Sequence, residues 1–119
     1  MTAMLAAVLL AAPEVLVVPF DVPEAMHDGV KLEVARWPGL LAKSGGFTTK
    51  AEGARYRLTG KVRAEDEGRK LVIRAELRDS KGVRLWDASY ELTEFTKKVA
   101  FMDETRGKIE AAVRARIKK

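Results

Sequence analysis

Residues 54–65 alternate strictly between two kinds of side chain, and this alternation constrains the fold more than any other feature. Apolar and small residues share one face, and all six residues of the other face are polar. A period of two is that of a strand with one buried face. Turn sequences follow at residues 66–68 and 79–82, and residues 71–78 and 86–92 repeat the alternation. The sequence therefore predicts an antiparallel meander of three strands.

The polar face of this meander is rich in cations. Residues 54–119 carry 18 basic and 11 acidic side chains, whereas residues 1–53 carry four and six. A basic surface attracts polyanions or acidic protein faces, and the alternative is a solvated surface that maintains solubility. The candidate residues for a polyanion-binding or partner-binding face are Arg55, Arg57, Lys61, Arg63, Arg74 and Arg78.

The register of the meander bears on what this face binds. Matching the apolar faces across the turns predicts Arg57 opposite Glu76 and Arg74 opposite Asp87. No aromatic residue shares the face, whereas proteins that bind single-stranded nucleic acid stack bases on aromatic rings. The sequence therefore disfavours nucleic acid as the partner, and nucleic-acid or polyanion binding is kept as the alternative function.

Two further segments predict a first strand and a last helix. Residues 15–18 form a continuous apolar run, which predicts a strand buried on both faces within a sheet. The chain becomes helical after residue 93, where Thr93 and Thr96 each offer a cap. The apolar stripe of this helix consists of Val99, Met102, Ile109, Val113 and Ile117, with Arg106 interrupting it.

A first helix is predicted over residues 23–36. Asp21 offers its N-terminal cap, and Trp37 is expected to end it, because the residue before a proline avoids the helical region. His27 lies at the edge of the apolar face and is expected to be a partly exposed helical residue. That apolar face consists of Met26, Val30, Val34 and Trp37.

Together these elements predict an α+β fold with a mixed sheet of about four to five strands and two helices packed on one face. The sheet joins the buried first strand to the meander, and residues 39–53 add only a short strand at 40–42, a turn and an extended piece at 47–49. A chain of 119 residues supports one such domain, assigned to residues 13–119. The side chains predicted to lie in the core are Trp37, Tyr56, Trp86 and Tyr90.

Residues 1–12 are predicted to precede the domain as a signal peptide or as an apolar helix. The apolar run at residues 3–12 is too short for a span of about 20 residues, and its final alanines favour cleavage near Ala12. No basic residue precedes the run, and Leu10 stands where a small residue is usual, so an N-terminal helix is the alternative. Export would place the mature chain outside the cytoplasm, and the alternative would leave it in the cytoplasm.

The composition disfavours an enzyme. The chain has no cysteine and a single histidine, His27, which excludes thiol catalysis and zinc–thiolate sites and leaves no second imidazole for a metal. Asp66 and Glu67 form the candidate carboxylate pair, but adjacent acids in a turn are ordinarily solvated. We therefore expect no catalytic residues, no cofactor and no metal.

The order of several segments resembles the TolB amino-terminal-like domain family, which also occurs beside bacterial adenylyl cyclases and is related to curli-secretion and flagellar outer-membrane proteins. The resemblance covers residues 14–117. The segments are VLVVPF at 15–20, HDG at 27–29, WPGL at 37–40, YRLTGKV at 56–62, LVIRAELRDSKGVRLWDASYE at 71–91 and FMDE at 101–104.

The resemblance implies a non-catalytic interaction module of a bacterial cell-envelope assembly, located in the periplasm or cell envelope. It implies another envelope protein as the partner and no transmembrane span in the mature chain. The family places a second helix before the meander, whereas residues 45–53 are too few and too rich in glycine for one. We expect this region to leave apolar surface uncovered and to support a homodimer or a partner contact.

Overall fold

The strand predicted at residues 54–65 is present as β3 (Tyr56–Glu65), and the rest of the sheet is built around it. The structure is a computed structural model that describes residues 14–67, 69–93 and 98–117. The predictions for residues 1–12 and for Thr96 lie outside these ranges. The elements in chain order are β1 (Val15–Val17), α1 (Asp28–Lys43), β2 (Phe47–Thr48), β3, β4 (Lys70–Asp79), β5 (Arg84–Leu92) and α2 (Lys98–Ile117).

The five strands form one mixed sheet in the order β2-β1-β3-β4-β5. β1 runs parallel to both of its neighbours, and β3, β4 and β5 form the antiparallel meander. Val15 and Val17 are buried, as expected of a strand inside a sheet. The predicted α+β class, with a mixed sheet and two helices, is therefore confirmed.

Both helices pack on one face of the sheet. α1 contacts β1 and β2, α2 contacts β5, and the two helices contact each other. Trp37 of α1 lies in the core between them, with 1% of its surface exposed, and meets the Phe20 ring edge-on at 5.4 Å between centroids. Tyr56, Trp86 and Tyr90 are half-buried and pack against the edge of the same core. The opposite face of the sheet, named the outer face below, carries the charged side chains.

The prediction that Trp37 ends the first helix was wrong. α1 continues through Pro38 to Lys43, and residues 40–42, predicted as a strand, are helical. A proline in a helix costs about 3 kcal/mol, whereas burying Trp37 and Leu41 contributes about 1.5–3 kcal/mol for each. The apolar face of the helix therefore outweighs the lost hydrogen bond.

The start of α1 also differs from the prediction. His27 precedes the helix as its N-cap, and its Nδ1 accepts a hydrogen bond from the Gly29 amide at 3.1 Å. Asp21, the predicted cap, forms instead an isolated parallel bridge to Lys61, in which its amide donates to the Gly60 carbonyl at 2.9 Å. The segment between Asp21 and His27 therefore runs beside β3 before the helix begins.

In α2 the buried stripe consists of Met102, Thr105, Ile109 and Val113. Val99, predicted within it, is 73% exposed, because the helix presents the residues at spacings of three, four and four from Met102 to the core. Arg114, one turn from the end of α2, donates to the Ser44 carbonyl at 3.0 Å and to the Gly45 carbonyl at 2.6 Å. This side chain ties the end of α2 to the end of α1.

Candidate binding face

The outer face collects the charged side chains of three strands on the side of the sheet away from the helices. Five of the six predicted residues, Arg57, Lys61, Arg63, Arg74 and Arg78, lie on this face and are exposed. Arg55 is exposed and immediately precedes β3. Sequence analysis missed Lys70 and Arg84 as members of the face. The acidic residues that share it are Glu65, Glu76, Asp87 and Glu91.

The observed register differs from the predicted one by two residues in each hairpin. Arg57 lies opposite Arg78 rather than Glu76, and Arg74 lies opposite Ser89 rather than Asp87. The loop at the tip of the first hairpin explains the shift there, because Asp66 and Glu67 both take positive φ angles, 54° and 56°, and delay the return of the chain. A shift of two leaves every side chain on its predicted face.

This register places like charges directly across the sheet. Arg57, Arg78 and Arg84 form one row over β3, β4 and β5, and Lys61 faces Arg74 in another. Directly opposed like charges destabilise a sheet. The row between them, Thr59, Glu76 and Asp87, supplies the acids that relieve part of this repulsion.

Ion pairs neutralise most of the charge of the cations of β4 and β5. Arg78 meets Glu76 at 2.6 Å, and Asp87 is shared by Arg74 at 3.6 Å and Arg84 at 3.5 Å. At the far end of the sheet, Glu91 accepts a hydrogen bond from the Lys70 ammonium at 3.0 Å and thereby raises the pKa of Lys70. These charges are largely matched within the face.

The cations of β3 are compensated differently. Arg63 pairs with Glu65 at 2.6 Å. Arg55, Arg57 and Lys61 have no acidic partner within 4.0 Å in the ranges 14–67, 69–93 and 98–117, although all three are exposed. These three residues, named the β3 stripe below, carry most of the unbalanced positive charge of the outer face.

Two open depressions adjoin the β3 stripe. The first, of about 540 Å³, lies beside Lys61 between the Asp21–Pro23 segment and Arg74. Its floor includes Val72, an outward-facing residue that is only 3% exposed. The second, of about 510 Å³, contains Arg55 and Arg57 and lies beside the turn at residues 79–82. The first depression also extends across the sheet to Glu76 and Asp87, whereas the second lies at the start of β3.

The other sequence candidates do not join this face. Asp66 and Glu67 are exposed at the tip of the β3–β4 hairpin. Within the described ranges, no cluster of three or more His, Asp or Glu side chains is placed to hold a metal ion. No described helix is long and apolar enough to cross a membrane.

Comparison with known proteins identifies the fold. No protein-family model and no curated protein matches the chain. PelC from Paraburkholderia phytofirmans, solved as a dodecamer, is similar with a TM-score of 0.53 and 21% identity over 77% of this chain and 81% of PelC. Lipoprotein GNA1162 from Neisseria meningitidis is similar with a TM-score of 0.50 and 19% identity over 68% of this chain and 80% of GNA1162.

TolB itself gives a weaker comparison. The structure from Acinetobacter baumannii has a TM-score of 0.43 and 18% identity over 76% of this chain and 25% of TolB. The TM-scores of PelC and GNA1162 show that the chain shares their fold. Membership of the TolB amino-terminal-like family stays a prediction.

Proposed function

We propose that this chain is a non-catalytic protein-interaction module that is exported and works in a bacterial cell-envelope assembly. The observation that carries the proposal is the fold, which is shared with a lipoprotein and with a protein solved as a dodecamer. The uncovered outer face supports it further, because a broad exposed sheet face offers a partner a rigid surface. The partner proposed is another envelope protein.

Photo-crosslinking combined with cell fractionation tests this proposal. A photoreactive amino acid at Thr59 places the crosslinker in the middle of the outer face, and the same group at Glu104, on the exposed side of α2, is the matched control. We expect the tagged chain in the envelope fraction and a discrete protein adduct from residue 59 only. A cytosolic chain that forms no adduct from either position would contradict the proposal.

Export depends on residues 1–12 and needs its own measurement. The proposal is that these residues are a signal peptide, with the cytoplasm as the alternative location. Intact mass of the protein recovered from its own cells decides between them. Loss of about twelve residues from the N-terminus supports export, and a full-length mass in the cytosol contradicts it.

The basic outer face supports a second candidate function, the binding of a nucleic acid or another polyanion. The opposed cations Arg57 with Arg78 and Lys61 with Arg74 favour it, because a bound anion would relieve their repulsion. Its affinity for an oligonucleotide should fall steeply with added salt. Replacing Arg55, Arg57 and Arg74 with Glu should abolish that binding, and persistence of the binding would exclude the outer face.

Dimerisation through residues 45–53 stays a prediction, but its premise is weakened. Phe47, the large apolar residue of that segment, is 5% exposed and lies under the Arg114 guanidinium at 5.0 Å from the ring centroid. The exposed large hydrophobic residues of the described ranges, Leu32, Val83 and Val99, lie elsewhere. Sedimentation equilibrium of the parent protein tests for a dimer directly.

A further inference from the structure

The unpaired cations of the outer face lie in a row along β3. The four cations that β4 and β5 place on the outer face share three acids of the same two strands, because Asp87 serves both Arg74 and Arg84, so most of the charge left over follows β3. The second depression continues this line past the start of β3. A ligand matched to such a line is a single extended chain, because a flat anionic surface would also cover Glu76 and Asp87.

The spacing along the line matches a polypeptide. Arg57 and Lys61 are four residues apart on one face of β3, which is about 13 Å along a strand. An extended peptide presents alternate side chains to one side with the same rise, so acids at alternate positions can meet both cations at once. Arginine adds bidentate contacts to carboxylates.

We propose that the β3 stripe binds an extended acidic segment of the partner protein, with Asp or Glu at alternate positions. The inference rests on the proposed interaction role and gives that role a partner chemistry. Single-stranded nucleic acid fits the line less well, because the outer face offers no aromatic ring for stacking within the described residues. An anionic lipid surface fits less well because it is flat.

Peptide binding to the purified full chain tests the spacing as well as the charge. One probe is a synthetic peptide of about ten residues in which four glutamates alternate with serine. The second has the same composition but places glutamate at every third position, so that neighbouring acids point to opposite sides of an extended chain. The alternating peptide should bind up to about fivefold more tightly at low ionic strength, because it forms one more exposed ion pair at a time than the other peptide.

Matched double variants locate the binding. Arg57→Gln with Lys61→Gln should weaken the alternating peptide about tenfold. Arg36→Gln with Lys108→Gln removes the same charge from the helix side and should change affinity by less than about twofold, since neither side chain is on the outer face or could form an ion pair with a peptide bound there. All four side chains are exposed, and circular dichroism checks that both variants keep the parental fold.

Three results would overturn the inference. They are equal affinity for the two peptides, an equal loss in both double variants, and tighter binding of oligothymidylate or of phosphatidylserine vesicles than of the alternating peptide. The failure of the envelope proposal is distinguishable from these. If the chain stays in the cytosol but binds the alternating peptide through β3, the envelope proposal is refuted and the peptide-binding inference stands. If the chain is in the envelope but binds both peptides equally, only the peptide-binding inference is refuted.

Discussion

Gly60 gives the sharpest test of how the core is packed. It lies on the inner face of β3 opposite Ala75, and the Phe20 ring packs so closely on it that an added Cβ would overlap three ring atoms. In a strand, replacing glycine with alanine ordinarily gains about 0.5–1 kcal/mol, because the unfolded chain loses freedom. At Gly60 we expect the opposite sign.

The magnitude follows from how firmly Phe20 is held. Its ring is 6% exposed and stands edge-on against Trp37, which is itself buried, so it has no free side toward which to move. Adding atoms to a packed core costs about 1–3 kcal/mol. After the backbone gain is subtracted, Gly60→Ala should lower the free energy of unfolding by about 0.5–2 kcal/mol.

Urea unfolding followed by tryptophan fluorescence measures this change, because Trp37 contacts the displaced ring. Gly107→Ala is the matched control. Gly107 is exposed in the middle of α2, and an added Cβ there meets nothing within 4 Å, so helix propensity predicts a gain of about 1 kcal/mol. A Gly60→Ala protein as stable as the parent, alongside a stabilised Gly107→Ala protein, would refute the packing argument.

Other contacts predict further effects on stability. Arg114→Ala should lower the free energy of unfolding, measured in urea, by about 1–3 kcal/mol, because the guanidinium donates to the Ser44 and Gly45 carbonyls. Arg114→Lys should recover only part of this stability, since an ammonium lacks the planar guanidinium geometry. Full recovery by lysine would contradict a role for that geometry. His27→Ala should cost about 1 kcal/mol in the same assay and His27→Asn much less, and equal losses would exclude the cap. Burial raises the pKa of Tyr90 above the 10.0 of an unperturbed tyrosine, so the stability linked to it is complete below pH 10 and is lost as the pH rises through the pKa of the folded form. Tyr90→Phe should reduce that alkaline loss, and an unchanged pH profile would contradict the assignment.

Strict periodicity predicted the strands correctly, because a segment with alternating apolar residues can bury them all on one side only as a strand. The alternation over residues 54–65 and the valine-rich run of β1 each specify a strand whatever its neighbours are, and both strands are present. Periodicity also predicted that both helices exist. It did not predict their bounds, since α1 extends past Pro38 only because Trp37 and Leu41 find a core that no local rule describes.

The caps and the charged partners depended on distant parts of the chain. His27 was expected inside a helix, and its place as the cap follows from the path of residues 21–26 beside β3. Arg114 reaches Ser44 and Gly45, which are about seventy positions earlier, and no sequence spacing indicates that pair. Contacts of this kind come from the tertiary packing of α2 on α1.

The register of the meander decides which charges of the outer face lie opposite each other. A hydrophobic pattern fixes a strand's face but does not distinguish registers that differ by two residues. In the predicted register Arg57 and Arg74 would each face an acid. In the observed register Arg57 faces Arg78 and Lys61 faces Arg74, so β3 retains charge that the protein itself does not balance. A sheet tolerates opposed cations at some cost in stability. An acidic segment of a partner, bound along β3, would relieve the repulsion between these cations.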